Sequence, residues 1–381
     1  MRKAQPRSAL AQVIATVIGF AEKGSQVLAT FGWNDFFEAQ FAPYREKGFA
    51  AGRVAVEHRR AYRLYTAQGE MPAEAAGKLF YEAQGSGDLP AVGDWVVVRQ
   101  LPGEHKAVIH AVLPRRSKFS RKAAGLHTEE QIVAANVDTV FLVSSLNQDF
   151  NLRRIERYLT LAWESGAVPV VVLNKADLCA QVEERLAEVA AVALGVDLRV
   201  VSAVTGQGLA ELTEYLRDHK TVAFLGSSGV GKSSLINKLL GEERLKTREI
   251  READDHGRHA TSQRELILVP GGGLVIDTPG MRELQLWEAG AGLEEVFEEI
   301  EACAAGCRFN DCQHENEPDC AVQAALARGE IDPGRFANFK KMQKELKFLQ
   351  RKQDYRAQAE EKRRWKILHK GFRTHMKQKY R

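Results

Sequence analysis

No stretch of about 18 consecutive apolar residues occurs in the chain, so nothing in it reads as a membrane span. An internal repeat is also lacking. Cysteine is scarce, with 5 in 381 residues, and a disulfide-stapled scaffold is therefore excluded. Its distribution is uneven. Cys179 stands alone, whereas Cys303, Cys307, Cys312 and Cys320 crowd into eighteen residues beside His314. Such clustering points to a metal held in a reducing compartment.

Net charge is nearly absent as well, at +4, but the two signs are not evenly mixed. Residues 340–381 carry 16 Lys/Arg against 4 Asp/Glu, a net of +12, which leaves 38 against 46, or −8, for residues 1–339. The basic character belongs to a C-terminal tail, and such a tail expects a polyanion: nucleic acid or an anionic membrane surface. What is abundant is core material. With 44% hydrophobic and 27% charged residues the chain is no disordered polymer, and its length suits two or three domains.

Arg2, Lys3 and Arg7 ahead of the apolar stretch Ala9–Ala21 superficially copy a signal peptide, but Gln12 and Thr16 interrupt it. An amphipathic helix or an unstructured extension is expected instead, in a cytoplasmic protein. Residues 1–45 show no clear periodicity, although Phe31, Trp33, Phe36, Phe37 and Phe41 could staple this arm onto a neighbour. From Ala51 to about Leu113 short alternating runs, punctuated by glycine and proline, predict a small all-β barrel of OB or SH3-like type. Arg115, Arg116, Lys118, Arg121 and Lys122 follow as a basic linker, either a polyanion contact or a solvated hinge. Beyond them Val137–Ser144, Val168–Leu173, Val200–Ser202, Thr221–Leu225 and Leu274–Ile276 are strand-length apolar runs. With a helical stretch over Leu152–Trp163, they predict a doubly wound α/β domain.

The chemistry sits at the ends of those runs. Gly226-Ser227-Ser228-Gly229-Val230-Gly231-Lys232-Ser233-Ser234 follows one strand and opens a helix, matching GxxxxGK[ST] in its required context. The glycines let backbone N–H groups turn toward phosphates, Lys232 would reach the β and γ phosphates, and Ser233 would bind Mg²⁺. Asp277-Thr278-Pro279-Gly280 follows another strand, where Asp277 would help hold Mg²⁺ and Gly280 would sense a γ-phosphate. Asn174-Lys175-Ala176-Asp177 closes a third. The Asp177 carboxylate can accept from guanine N1–H and N2–H₂, which adenine cannot offer, so the wrong base would leave it unpaired. Asn174 would brace the loop, Lys175 would lie along the purine, and Ser202-Ala203 can offer the Ala203 N–H to guanine O6.

Cys307-x₄-Cys312-x-His314-x₅-Cys320 supplies three thiols and one imidazole, a closed tetrahedral set for structural Zn²⁺ with no open position for catalysis. Cys303 is a possible substitute ligand of less suitable spacing, and it and Cys179 are expected as free thiols. Asp332-Pro333 reads as an N-cap followed by proline at the first helical position. Phe336, Phe339, Met342, Leu346 and Leu349 form one apolar stripe expected in a core. Arg363, Arg364, Lys366 and Lys370 are candidate phosphate contacts.

Taken together, the motifs resemble a GTPase, but NKAD and SA precede the P-loop, which precedes Thr261 and then DTPG. That order is a circular permutation. It places the segment Asp277–Gly280 directly before the C-terminal region, so that nucleotide state could pull on whatever that region grips. A barrel, a permuted GTPase and a Cys₃His module resemble the ribosome small-subunit-dependent GTPase A family, RsgA or YjeQ, over about Leu28 to Phe348. The resemblance implies an N-terminal OB-fold, GTP hydrolysis to GDP and phosphate stimulated by the 30S subunit, and a late role in 30S maturation through contact with 16S rRNA. It gives five parts: extension 1–45, OB-fold barrel 46–118, GTPase 119–283, zinc-binding helical domain 284–350 and basic tail 351–381. By alignment with the family's switch I, Thr261 is the expected second Mg²⁺ ligand, with Thr278 and Ser262 as alternatives. The segment before about Leu28 has no counterpart. Met281 stands where a water-orienting glutamine would follow DxxG, so intrinsic hydrolysis should be slow. The resemblance points instead to His259 as the water-positioning residue. The alternative is an RNA-binding assembly factor in which GTP is mainly a structural or timing ligand. A monomer is expected, its partner being a ribosomal subunit.

Overall fold

The computed structural model describes residues 24–58, 61–101, 103–122, 130–245, 264–277 and 290–351. Residues 24–122 and 130–277 form one compact unit and residues 290–351 belong to a second. No helix among the described residues is long and apolar enough to cross a membrane.

Five short strands open the first unit: β1 (Ala50–His58), β2 (Ala61–Thr66), β3 (Gly69–Ala75), β4 (Trp95–Gln100) and β5 (Ala107–Val112). They pair in the order β1-β2-β3-β5-β4, and β4 returns to β1 to close a barrel. Only β3 and β5 run parallel. This closed five-stranded arrangement is the OB type, which decides between the two barrels left open by strand periodicity. Alternation explains the inside: Val54, Leu64, Met71, Val96, Val98 and Ile109 point inward as one buried cluster.

The aromatic arm behaves differently from its aperiodic reading. Asp35–Arg45 is a helix capped by Asn34, whose Oδ1 accepts from Phe36 N at 3.1 Å. Trp33, Phe37 and Phe41 recur every fourth residue and are buried. Trp33 and Phe37 pack onto the fully buried Trp95 at 4.6 and 5.8 Å between ring centres, so the neighbour they staple is the chain's own barrel. The basic linker also needs correction. Arg115 forms a two-pronged pair with buried Asp94, at 2.8 and 2.7 Å, and donates to the carbonyls of Gly87 and Leu89. Lys118–Lys122 is a strand, β6, paired antiparallel with β7 (Glu130–Ala135). Arg115 and the strand Lys118–Lys122 are thus held within the fold and do not form a hinge.

The α/β part contains β8 (Thr139–Ser145), β9 (Val168–Asn174), β10 (Asp197–Val200), β11 (Thr221–Gly226), β12 (Arg264–Leu268) and β13 (Leu274–Asp277). Their order is β10-β9-β8-β11-β13-β12, parallel throughout except for β12. β12 was not anticipated, because its five residues Arg-Glu-Leu-Ile-Leu are too short and half-charged to read as a strand. Its outer edge pairs with β1 through Val56↔Glu265 and Glu57↔Arg264. An otherwise open sheet edge is thereby covered by the barrel. Tyr65 Oη donates to Leu266 O at 3.1 Å, and Arg63 pairs with Glu265 at 2.6 Å across the same seam.

One guanidinium ties the pieces of this unit together. Arg53, 1% exposed, donates to the carbonyls of Phe31 in the arm, Gly93 in the barrel and Asn136 ahead of β8. It also lies 5.5 Å from the centre of the Trp95 ring. Burial pulls its pKa down to about 10, against the pull of Asp138 and Asp94, so it stays charged. Gly32 must be glycine here: its φ is +86°, and a Cβ would come within 2.7 Å of Arg53 Nη1 and 3.1 Å of His219 O.

The second unit holds helices Ala291–Val296, Glu298–Ala304 and Ala321–Arg328, with residues 333–351 also helical. Asp332 caps the last helix, accepting from Arg335 N at 2.7 Å. Phe339, Met342, Leu346 and Leu349 are buried as the stripe predicts, while Phe336 is half-buried.

Arg53→Met should lower the stability of the first unit by about 2–5 kcal/mol, because buried carbonyls of Phe31 and Asn136 lose their charged donor. Urea unfolding followed by tryptophan fluorescence checks this, since Trp33 and Trp95 pack at the junction.

Candidate nucleotide site and metal centre

β11 ends at Gly226, and the chain turns through residues 227–231 into the helix Lys232–Leu240. Three glycines fit because side chains would not. A Cβ on Gly226 would meet Val143 O at 2.4 Å, and one on Gly231 would meet Asn174 Nδ2 at 2.2 Å. Gly229 and Gly231 also take φ of +76° and +99°. Lys232 folds back over this loop, donating to Gly226 O at 2.8 Å and Ser227 O at 2.6 Å. Ser233 and Ser234 occupy the first turn of the helix, both half-buried; Ser228 is exposed at the loop's tip and Val230 is buried beneath it.

The NKAD segment arrives from β9. Asn174, 1% exposed, donates Nδ2 to Val230 O at 2.8 Å and accepts on Oδ1 from Ala203 N at 3.1 Å. One carboxamide therefore joins the ends of three strands, β9, β10 and β11. Lys175 adopts φ +66°, which turns the chain sharply into Ala176 and Asp177. Ser202 Oγ donates to Asp177 Oδ1 at 2.5 Å and so aims that carboxylate. The Ala203 N–H expected for guanine O6 points at Asn174 in this structure, so a base there would share or take it.

Asp277 closes β13, in register with Glu265 of β12. Burial pushes its carboxyl up to about 6, with Glu265 adding to the rise and Lys232 opposing it. A ring of strand ends thus gathers Asn174, Asp177, Ser202, Ala203, Lys232 and Asp277 on one edge of the sheet, where doubly wound folds bind ligands. Gly280, Thr261 and His259, like Thr278, Ser262 and Met281, lie outside the described residues, as do Arg363, Arg364, Lys366 and Lys370. Sequence reasoning missed Tyr158, whose phenol lies 3.4 Å from Ser227 Oγ; a tyrosine within a helix carries no signal for such a contact.

In the second unit the donor atoms of Cys307, Cys312, His314 and Cys320 lie within 4.8 Å of one another. Cys307 Sγ is 3.8 Å from Cys320 Sγ, and His314 Nδ1 is 3.6 and 3.5 Å from these two sulfurs. A tetrahedral ion with arms of about 2.3 Å to sulfur and about 2.0 Å to nitrogen requires edges of about 3.8 and 3.5 Å. The four residues fit a metal ion. Burial and the nearby Lys340 lower the His314 pKa, favouring the neutral imidazole that ligation needs. Burial works against ionising Cys307, but hydrogen bonds from the backbone N–H groups of Val322 and Ala321 and from the Cys320 and Cys312 thiols together lower its pKa. Cys303 and Cys179 are not among these donors.

The chain is similar to known proteins. Residues 112–287 match the family model described as RsgA GTPase. A protein of Opitutus terrae named small ribosomal subunit biogenesis GTPase RsgA is 48% identical over 356 residues, 91% of this chain and 97% of that one. A Lactiplantibacillus plantarum protein named small ribosomal subunit biogenesis GTPase RsgA 2 is 49% identical over 304 residues, 80% of this chain and 85% of its own. Among solved structures, YjeQ from Thermotoga maritima aligns with a TM-score of 0.58 at 30% identity, covering 78% of this chain and 98% of that one. YloQ, described as a circularly permuted GTPase, gives 0.55 at 24% identity, covering 81% and 96%, and bears on the fold alone.

The Asp277 carboxyl, raised above its ordinary value of 3.8 to about 6, adds stability while protonated and loses it as pH climbs through about 6. Asp277→Asn should therefore stabilise the nucleotide-free protein by about 1–3 kcal/mol near pH 7.5. Denaturation across pH should show that gain vanishing below about pH 4.

Proposed function

The chain belongs to the RsgA GTPase family and is a GTP hydrolase, and we propose that it acts in small ribosomal subunit biogenesis, with the 30S subunit stimulating its turnover. The observation that carries this reading is the junction at Asn174, whose side chain bonds both to the P-loop at Val230 and to Ala203, joining the segments this reading assigns to phosphate and base. The curated relatives, covered over most of their length and named for small-subunit biogenesis, supply the biological setting.

In this proposal Asn174, Lys175, Ala176 and Asp177, with Ser202 and Ala203, select guanine. The Asp177 carboxylate is already aimed by Ser202, so its two lone-pair directions are free of rotational search. Residues 226–234 wrap the phosphates, and Lys232 leaves the carbonyls of Gly226 and Ser227 to neutralise the β and γ phosphates. Ser233 and Thr261 would hold Mg²⁺ with the help of Asp277, and Gly280 would sense the γ-phosphate. Magnesium supplies charge neutralisation at the β and γ oxygens. His259 positions the attacking water, a role for which Met281 has no hydrogen-bonding capacity. The Cys₃His shell holds one structural Zn²⁺, because four protein donors leave no place for substrate. The barrel, the zinc module and the basic tail contact 16S rRNA in a cytoplasmic, monomeric protein, chiefly by neutralising phosphates.

Steady-state GTP hydrolysis with and without 30S subunits tests the proposal. Stimulation should be on the order of 10²-fold or more, as for a water-positioning group brought into place. It should be selective for GTP over ATP, absent in Lys232→Ala and largely lost in His259→Ala. Tight 30S binding without stimulation would sink the gated-enzyme reading and favour an assembly factor in which GTP serves as a timer.

A further inference from the structure

The metal-ligand loop, residues 307–320, has little regular structure, so its backbone groups must find partners elsewhere. Side chains provide them. The Glu317 carboxylate accepts from the backbone N–H groups of Gln313 at 2.9 Å, Glu315 at 2.9 Å and Asn316 at 3.1 Å. The opposite polarity is met from two helices: Gln323 donates to His314 O at 2.5 Å and Lys340 to Gln313 O at 2.6 Å. Between these clamps His314 sits in the left-handed region, at φ +57°, which an L side chain adopts at a cost.

We propose that Glu317 is the positioning residue of the metal centre: by gathering the N–H groups on both sides of His314, it holds the imidazole in ligating position without touching the metal. The spacing supports this. Glu317 is three residues from both His314 and Cys320, and its carboxylate reaches back to the backbone on either side of His314. The carboxyl itself is held down to about 2 by the N–H groups of Gln313, Glu315 and Glu317, as expected for an acceptor of several backbone bonds. Partners of this kind orient ligands and commonly govern metal affinity. The inference rests on reading the four donors as a zinc shell.

Full-length wild type, Glu317→Ala, Glu317→Gln and Glu330→Ala are compared by Zn²⁺ competition against a chromophoric chelator and by the visible spectrum of the Co²⁺-loaded protein. Glu317→Ala should bind Zn²⁺ about 10- to 100-fold more weakly and lose intensity in the tetrahedral Co²⁺ bands. Glu317→Gln keeps one acceptor oxygen and should fall between it and wild type. Glu330→Ala removes an exposed carboxylate paired with Arg328 in the same unit and should match wild type. If Glu317→Ala does not fold, the Gln variant carries the test. Affinity within twofold of wild type with an unchanged Co²⁺ spectrum would overturn the role of Glu317. A wild type that binds neither ion would overturn the zinc reading itself.

Discussion

A single carboxamide organises the nucleotide edge. Asn174 donates to Val230 O in the P-loop and accepts from Ala203 N in the SA turn, so the two loops proposed to hold the phosphates and the base are joined through one side chain. Buried at 1% exposure, neither bond competes with water, and losing either would orphan a backbone group in a dry site. The contact is indifferent to chain order. Circular permutation moves the peptide links between strands but leaves Asn174 between the same two loops, which is why a GTPase site survives with its motifs in the wrong sequence.

The other side of the sheet has a constraint of its own. β12 would be an exposed edge, and the OB barrel covers it through β1, with Arg63 and Tyr65 reinforcing the seam. Arg53 then draws arm, barrel and α/β sheet onto one buried cation. Barrel and GTPase sheet are built as one unit, although each has its own hydrophobic cluster.

The second unit solves a different problem. Its first three helices are short, and a ligand loop rich in turns needs cross-links that apolar packing does not supply. Three thiols, an imidazole and the side-chain clamps of Glu317, Gln323 and Lys340 take that role. Arg335 adds a buried guanidinium that donates to Val296 O at 2.5 Å and lies 4.8 Å from the Phe297 ring centre.

Much of the site was legible because its chemistry is local. GSSGVGKSS, NKAD, SA, DTPG and the Cys₃His spacing each need particular residues within a few positions, and apolar runs marked most of the strands that carry them. The residues that failed to announce themselves act at long range. Arg115 read as linker charge, yet it pairs with Asp94; Arg53 carried no signal, yet three separated segments end on it; Trp33, Phe37 and Phe41 kept a helical spacing whose target, Trp95, lies more than fifty residues away. β12 was hidden because its pairing with β1 and β13, rather than its own hydropathy, makes it a strand. The sequence by itself determined the chemistry of the loops and the kind of domains that hold them, since motif residues and strand periodicity depend on near neighbours. Only the tertiary structure decided which barrel forms, which sheet edge it covers and which charges are buried, because those outcomes depend on desolvation and pairing between segments that no local pattern connects.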